Sequence, residues 1–290
     1  MKTTLTIMVD NFAQQRGTMA EHGFAVWITR GEEHTLFDTG GGMTLANNLQ
    51  ALNKDVHDLH RIILSHGHWD HSGGLKVVLN DRESREILAH PGIFTERYSI
   101  KKQETTPQYV DASLPFSRQE LEQAGACFRL TREFAEVSPG FWFSGEIPRP
   151  QDWITSDSSL VFRQDNRYIP DHILDDVSLV LDTEKGPVVL FGCAHAGADT
   201  ILDYLAVHTG YNSFHAVIGG MHLAKANEQR IAQIITCLEK YQVQQIVATH
   251  CTGFQAMAAL YQHFRERFVF STVGSIFCFS DRFKKEESHS

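Results

Sequence analysis

The sequence predicts a mixed α+β chain that folds as one domain over residues 1–290. Short apolar runs with strand-like alternation recur in the first 90 residues and again from residue 177 onward. In each half, such runs lead through glycine-rich turns into segments with helical periodicity. Histidine and aspartate residues follow several of the runs directly. Open sheets of α/β type place their ligands at this end of a strand.

Composition limits the function classes that are compatible with this chain. Its 42% hydrophobic and 21% charged residues are typical of a globular protein with a sizeable core. A net charge of −9 argues against a nucleic-acid partner, because phosphate binding needs a basic face. The five scattered cysteines predict reduced thiols. Since neither a membrane span nor a signal peptide is evident, we expect a cytoplasmic protein without a membrane partner.

The first half begins with three predicted strands. Leu5, Ile7 and Val9 alternate in the first, and the next two cover residues 24–28 and 34–37. Asp38 follows the third strand. Three glycines at 40–42 then precede a predicted helix over 43–52. Glycines before a helix can cradle an anion, but here we interpret them as a tight turn.

The stretch S-H-G-H-W-D-H-S-G-G at 65–74 carries the strongest chemical signal. It follows the apolar run 62–64, which is short enough to be a buried strand, and precedes a predicted helix over 75–79. Its potential metal ligands are His66, His68, Asp70 and His71. Alternation in an extended segment points the first two side chains the same way, and a turn brings the other two from another side. Imidazole and carboxylate predict one or two divalent metal ions, with Zn²⁺ expected and Mn²⁺ or Fe²⁺ as alternatives.

The pattern changes between residues 93 and 174. Strand and helix alternation is lost, and aromatic residues and prolines become frequent. We interpret this range as an insertion or cap beside the metal site, because long ordered insertions are usually functional. Its side chains either contact a flat or phosphorylated substrate or only form a structural cap. The basic residues in question are Arg97, Lys101, Lys102, Arg149, Arg163 and Arg167.

The second half returns to strands followed by helices. The predicted strands are 177–182, 187–191, 214–218, 245–248, 268–270 and 275–279, and the predicted helices are 198–205, 227–241 and 254–264. His195, His222 and His250 come shortly after three of these strands, which is a ligand-like placement. Cys193 is expected to be a small buried residue rather than a ligand.

The motif H-x-H-x-D-H after an apolar strand resembles the metal-binding motif of the metallo-β-lactamase superfamily. This resemblance implies a four-layer αββα sandwich with the site at one edge, between two sheets. It also implies that His195 joins His66 and His68 at one ion, and that His250 joins Asp70 and His71 at a second. Asp38 resembles the strand-end aspartate that orients the metal loop of this superfamily.

One position departs from that resemblance. Many members place an aspartate that bridges the two metals after the strand predicted here at 214–218, whereas this chain has G-G-M-H. A neutral imidazole cannot bridge two cations as a carboxylate does. His222 therefore either ligates one ion or merely lines the pocket, and the second site is weaker if it does not ligate.

Three functions are compatible with these residues. Metals lower the pKa of bound water from about 15.7 to about 7, so the first is hydrolysis of a small ester, lactone or phosphoester, with Asp70 accepting a proton or orienting the nucleophile. The motifs G-C-A-H-A-G, T-H-C-T-G and S-G-E-I-P-R resemble a subgroup that includes a dihydropterin–ribofuranosylaminobenzene 5'-phosphate synthase. The second function is therefore a transferase that condenses a pterin-like pyrophosphate with an aryl amine phosphate.

The third function is a metal-holding ligand sensor with little turnover. In each case the expected partner is a small molecule, phosphorylated or aromatic. The predicted substrate contacts are His90, Arg149, Cys251 and Thr252. His90 is equally compatible with an ordinary turn, because it precedes Pro91 and Gly92 at the end of a short apolar run.

Overall fold

The computed structural model describes residues 2–79, 84–101, 106–151, 153 and 157–282. Within these residues, the strands of the first half are β1 (Lys2–Val9), β2 (Ala25–Arg30), β3 (Glu33–Phe37), β4 (Arg61–Ile63), β5 (Arg85–Ala89), β6 (Arg97–Lys101), β7 (Gln108–Asp111), β8 (Ala126–Leu130), β9 (Ala135–Ser138) and β10 (Phe141–Phe143). The later strands are β11 (Leu160–Gln164), β12 (Arg167–Pro170), β13 (Ser178–Leu181), β14 (Val188–Phe191), β15 (Ala216–Gly220), β16 (Gln245–Thr249) and β17 (Ile276–Ser280).

The helices of the described residues alternate with these strands in both halves. They are α1 (Leu45–Ala51), α2 (Trp69–Ser72), α3 (Leu75–Val78), α4 (Arg118–Gln123), α5 (Ala198–Thr209), α6 (Glu228–Lys240) and α7 (Phe254–Phe264). Local sequence sets several of their ends. Asn227 caps α6 by accepting a hydrogen bond from the Arg230 N–H, and Gly210 ends α5 in the left-handed conformation at φ 74°. No helix in the described part of the chain is long and apolar enough to cross a membrane.

Two sheets form the centre of the molecule. The first sheet has the described strand order β17-β1-β2-β3-β4-β5-β8, and β3, β4, β5 and β8 run parallel. The second has the order β16-β15-β14-β13-β10-β9, in which β14, β15 and β16 run parallel. Strands β13 to β15 are buried throughout, which explains their nearly continuous apolar sequence.

Three apolar clusters show how the layers stack. One lies between the sheets and combines Leu5, Ile7 and Val26 of the first with Leu179 and Leu190 of the second. Another packs α1, α3 and α4 on the outer face of the first sheet, and the third packs α5, α6 and α7 on the outer face of the second. The predicted four-layer αββα sandwich is therefore confirmed.

The range from 93 to 174, predicted as one insertion, is divided between different parts of the fold. Strands β6, β7, β11 and β12 form a separate antiparallel sheet. By contrast, β8 joins the edge of the first central sheet, and β9 and β10 extend the second. Sequence analysis missed these strands because they are short and because β8 and β9 carry few buried residues. The separate sheet accounts for the part that lies outside the sandwich.

The separate sheet is fixed to the sandwich by a buried cation. The Arg97 guanidinium, on β6, donates to Asp171 Oδ2 at 2.7 Å and to Asp175 Oδ2 at 3.0 Å. Asp175 Oδ2 also accepts the Gly67 N–H at 2.9 Å, inside the predicted metal loop. Arg97 therefore has a structural role rather than the phosphate-holding role considered for the basic residues of this range, and Lys102 lies outside the described residues.

Two smaller predictions differ from the structure. Residues 268–270 form no strand, because only Phe268 makes an isolated bridge, to Ile246. The turn expected within the metal motif is the short helix α2, whereas the predicted helix over 75–79 is present as α3, which follows Gly73 and Gly74. A Cβ on Gly74 would lie 2.2 Å from the Thr39 carbonyl oxygen, so this glycine permits close approach of two loops.

Candidate metal centre

The candidate centre lies where parallel strands of both central sheets end. The predicted metal loop follows β4, His195 follows β14 and His250 follows β16. Because the chain turns sharply at this edge, several residues adopt left-handed backbone conformations that non-glycine residues rarely tolerate. They are Asp38 (φ 58°), Ala194 (φ 53°), His222 (φ 48°) and His250 (φ 49°). Such conformations are concentrated at functional sites.

The first cluster consists of His66, His68 and His195, which are all buried. His66 Nε2 lies 2.9 Å from His68 Nδ1 and 3.3 Å from His195 Nε2. Burial lowers the pKa of each ring, that of His68 to about 3, and nearby imidazoles lower those of His66 and His195 further. The rings are therefore neutral at pH 7, as metal binding requires.

The second cluster consists of His22, Asp70, His71 and His250. Asp70 Oδ2 lies 3.3 Å from His22 Nε2, 3.3 Å from His250 Nε2 and 3.7 Å from His71 Nε2. Burial by itself would raise the pKa of the Asp70 carboxyl. The charge of His71 and hydrogen bonds from the other two rings outweigh burial and hold this pKa well below its usual range. Asp70 is therefore ionised and carries the negative charge of the cluster.

Neighbouring side chains fix the orientation of two of these rings. Asp38 Oδ2 accepts a hydrogen bond from His71 Nδ1 at 2.7 Å, and Asp38 Oδ1 accepts the Ser65 N–H at 2.7 Å. Asn11 Oδ1 lies 3.0 Å from His250 Nδ1. Because each Nδ1 is engaged, each Nε2 faces the centre, which is the usual arrangement around metal-ligating histidines. The structure thus places Asp38 where an orienting residue belongs.

The donor set fits a divalent transition metal. Two buried ring nitrogens of the centre have no hydrogen-bond partner among the described residues. They are His68 Nε2 and His222 Nδ1. Such atoms are costly unless something occupies them. Imidazole nitrogens with one carboxylate suit Zn²⁺, Fe²⁺ or Mn²⁺, so the first cluster and the second cluster can each hold one ion.

His22 is a member of the second cluster that sequence analysis missed. Although its side chain is 57% exposed, the segment around it is anchored. The Glu21 carboxylate accepts hydrogen bonds from the backbone N–H groups of Gly41, Gly42 and Met43. The amides of the 40–42 turn are therefore occupied by a carboxylate of the same chain, in agreement with the tight-turn interpretation. The sequence signal was E-H-G directly before a buried strand.

Cys193 is the second residue that sequence analysis undervalued. It is buried, as expected, but its sulfur lies 3.0 Å from His71 Nε2. The same sulfur is within 4.8 Å of ligand atoms of both the first cluster and the second cluster. The expectation that Cys193 is only a small buried residue is therefore incomplete. Its position two residues before His195 in G-C-A-H was the available signal.

His222 and Cys251 lie beside the two clusters. The His222 ring packs on the His195 ring with centroids 4.3 Å apart, and its Nε2 lies 3.7 Å from Asp157 Oδ2. Burial lowers the pKa of His222, but Asp157 and Cys251 outweigh it and raise the pKa to about 10. The backbone N–H of His222 donates a hydrogen bond to Cys251 Sγ at 3.3 Å. Both predicted roles of His222, ligand and pocket lining, stay predictions.

The other predicted substrate contacts are occupied by protein groups. His90 is buried, with Nε2 2.9 Å from Glu146 Oε2 and Nδ1 accepting the Gly92 N–H. Arg149 donates to the backbone carbonyls of residues 147, 172 and 173. Thr252 Oγ1 accepts the Met221 N–H at 3.1 Å. These contacts assign each side chain a structural partner, and the proposed substrate roles stay predictions.

Comparisons with known proteins agree with this architecture. The chain is 30% identical over 254 residues to a 7,8-dihydropterin-6-methyl-4-(β-D-ribofuranosyl)-aminobenzene-5'-phosphate synthase of Methanocaldococcus jannaschii, covering 86% of this chain and 85% of that protein. It is also 30% identical over 275 residues to an uncharacterized protein of the same organism, covering 94% and 98%. A solved structure described as a metal-dependent hydrolase of the β-lactamase superfamily superposes with a TM-score of 0.81 at 24% identity, covering 96% of this chain and all of that one.

The sequence profile of the metallo-β-lactamase superfamily matches residues 19–224. That range includes the first cluster, three members of the second and the loop that carries Cys193. Together with the αββα layers and the ligand residues at the strand ends, this match establishes that the chain belongs to the metallo-β-lactamase superfamily.

Proposed function

We propose that this protein is a metal-dependent hydrolase that acts on a small ester, lactone or phosphoester. The observation that carries this proposal is the convergence of two buried ligand clusters around Asp70 and His66, with ring orientations fixed from behind. Superfamily membership supports it, since members are mostly metal-dependent hydrolases. We propose Zn²⁺ as the ion, because imidazole nitrogens dominate the donor set.

The residues of the chain divide the work of catalysis. The first cluster would hold one ion, and Asp70, His71 and His250 a second. When bound, these ions supply Lewis-acid chemistry that acidifies water and polarises a carbonyl or phosphoryl oxygen. Asp70 Oδ2 would orient the attacking water, since its lowered pKa keeps it ionised. Apart from His22, the members of both clusters are buried, and their low local dielectric strengthens these electrostatic interactions.

The test measures hydrolysis of 4-nitrophenyl acetate, a simple γ-lactone and bis(4-nitrophenyl) phosphate after loading with Zn²⁺ or Mn²⁺. We expect turnover of at least one class, lost on chelation and in His66→Ala and Asp70→Asn. Asp58→Asn, at an exposed position, is the matched control and should behave as the wild type. Wild-type activity in His66→Ala would refute the site assignment. Tight binding of these compounds without any turnover would favour a sensor instead.

The similarity to the M. jannaschii synthase supports a second candidate function. In that reaction class, the amine nitrogen of an aryl amine phosphate attacks a pterin-like carbon, a C–N bond forms, the C–O bond to pyrophosphate breaks, and the amine proton passes to a base. Release of pyrophosphate only when both substrates are present would support it. Ester turnover without pyrophosphate release would support the hydrolase.

Metal stoichiometry helps to separate the two functions. Elemental analysis before and after reconstitution counts the ions per chain. Two ions would favour the hydrolase, because both clusters are then loaded around Asp70. One ion per chain would mean that the second cluster binds metal weakly without a bridging aspartate, and would favour the synthase or the sensor over the hydrolase.

A further inference from the structure

Among the described residues, no ligand group that combines members of the first cluster and the second cluster contains a carboxylate. The G-G-M-H segment at the end of β15 supplies no aspartate, and the His222 ring packs against His195 of the first cluster. A carboxylate in that position normally neutralises and joins two cations. The structure therefore raises the question of which atom occupies the space between the clusters.

The Cys193 sulfur occupies this space. It lies 3.0 Å from His71 Nε2 in the second cluster. It is within 4.8 Å of ligand atoms of His66 and His195 in the first cluster, and of His250 in the second. Since β14 ends two residues earlier, the backbone that carries this thiol is fixed by the parallel pairing of β14 with β15.

A second sulfur, that of Cys251, lies next to the Cys193 thiol. Cys251 Sγ lies within 4.8 Å of Cys193 Sγ and of a His250 ring nitrogen. A Cβ on Gly220 would lie 2.5 Å from Cys251 Sγ, so the glycine leaves room for this second sulfur. Cys251 Sγ already has partners, since it accepts the His222 N–H and lies 3.6 Å from the Cys193 carbonyl oxygen.

We propose that Cys193 is a thiolate ligand of the metal centre and takes the position between the clusters that a bridging carboxylate would fill. On binding, a metal–sulfur bond forms, the Cys193 S–H bond breaks and its proton passes to solvent, with no change in oxidation state. A thiolate is a soft ligand, so the centre should prefer Zn²⁺ to Mn²⁺. This inference rests on the metal-binding part of the proposed function.

The test is titration of the reduced, metal-free protein with Co²⁺, a coloured substitute for Zn²⁺. Wild type should show the ligand-field bands of bound Co²⁺ together with a near-ultraviolet sulfur-to-cobalt charge-transfer band. Cys193→Ser should lose the charge-transfer band and bind Zn²⁺ about tenfold or more weakly, with a smaller change for Mn²⁺. Cys278→Ser, at an exposed position on β17, is the matched control and should keep both.

Two further variants keep the proposal falsifiable. Cys193→Asp should restore binding of the ions without the charge-transfer band, which would show that loss of the band in Cys193→Ser is not caused by misfolding. Cys251→Ser should keep the band. Loss of the band in Cys251→Ser but not in Cys193→Ser would assign the ligand to Cys251 and overturn the proposal.

The outcomes also separate this inference from the proposed function. Ligand-field bands without a charge-transfer band in the wild type would refute the thiolate while leaving the metal centre intact. Absence of all Co²⁺ bands would refute the metal centre itself.

Discussion

Asp38 contacts the candidate metal centre through its neighbours. It is buried and accepts hydrogen bonds from His71 Nδ1, the Ser65 N–H and the Ser65 hydroxyl, so one carboxylate fixes both the loop and a ligand ring. We predict that Asp38→Ala weakens metal binding by about 10- to 100-fold, the usual effect of removing such a partner. Competition with a coloured chelator measures this. Asp58→Ala is the surface control. An unchanged metal affinity in Asp38→Ala would show that the orientation of the His71 ring does not depend on Asp38.

His22 offers a test of the solvent side of the centre. Its Nε2 shares Asp70 Oδ2 with His250, and the contacts of Glu21 hold its segment in place. We predict that His22→Ala lowers the affinity for the second ion about tenfold and leaves the first unchanged, as loss of one weak ligand or its support would do. Sequential Zn²⁺ release to a chelator measures both affinities. His208→Ala, an exposed residue of α5, is the control, and two unchanged affinities would limit His22 to hydrogen bonding with Asp70.

At the scale of elements, the separate sheet depends on Arg97. Because its guanidinium is buried between Asp171 and Asp175, Arg97→Met would leave two carboxylates without their cation. Breaking a buried pair in this way costs about 3–5 kcal/mol of unfolding free energy. Urea denaturation measures the loss. Arg118→Met, which breaks an exposed pair with Glu122, should cost less than about 1 kcal/mol. An equal loss of unfolding free energy in Arg97→Met and Arg118→Met would mean that the buried ion pairs of Arg97 stabilise the fold no more than an exposed pair does.

The pairing of α5 with α6 gives a pH-dependent prediction. Burial would raise the pKa of Asp199, but bidentate hydrogen bonds of 2.6 and 2.7 Å from Arg230 and its charge outweigh burial and lower it. The ion pair therefore stabilises the fold above the ordinary pKa of 3.8, and this contribution is lost as pH falls through the lowered value. Asp199→Asn should cost about 0.5–1 kcal/mol at pH 7. The urea midpoint of Asp199→Asn should approach that of the wild type as the pH falls from 7 to 3. A difference between the two midpoints that stays constant over this range would contradict the ion pair.

At the scale of the whole molecule, metal binding should stabilise both halves together, because ligands come from both central sheets. An ion present at about 1,000 times its Kd adds about 4 kcal/mol of stability. Calorimetry should therefore show a Tm several degrees lower after chelation, restored by Zn²⁺. His66→Ala is the control, since its Tm should respond less to chelation. An unchanged wild-type Tm would mean that the ligands do not bind one ion across the sheets.

Much of this architecture was readable from local patterns. The runs that form β4, β14 and β16 are apolar and short, and the H-x-H-x-D-H motif follows one of them, so the strand ends and most members of the two clusters could be predicted together. His22 and Cys193 could not be placed in this way. Their proximity to the centre depends on how distant segments pack, and a single histidine or cysteine has no periodicity to reveal it.

The range from 93 to 174 shows a different limit. Its basic residues suggested phosphate binding, yet whether a cation is exposed or paired depends on tertiary contacts. Arg97 pairs with two aspartates more than 70 residues away, and Arg149 donates hydrogen bonds to backbone carbonyls. In the same range, β8 belongs to a central sheet because it pairs with β5, although apolar and polar residues alternate only weakly in its sequence.

The order of the ligands along the chain has a consequence for folding. Members of the second cluster lie as far apart as His22 and His250, so the cluster exists only after both sheets have formed and docked. Small zinc fingers gain their structure from the metal itself. Here the polypeptide must reach nearly its final topology before any ion has a complete set of ligands. Capture of an ion by these clusters would thus be a late kinetic event, and its rate would report when assembly of the sandwich is finished.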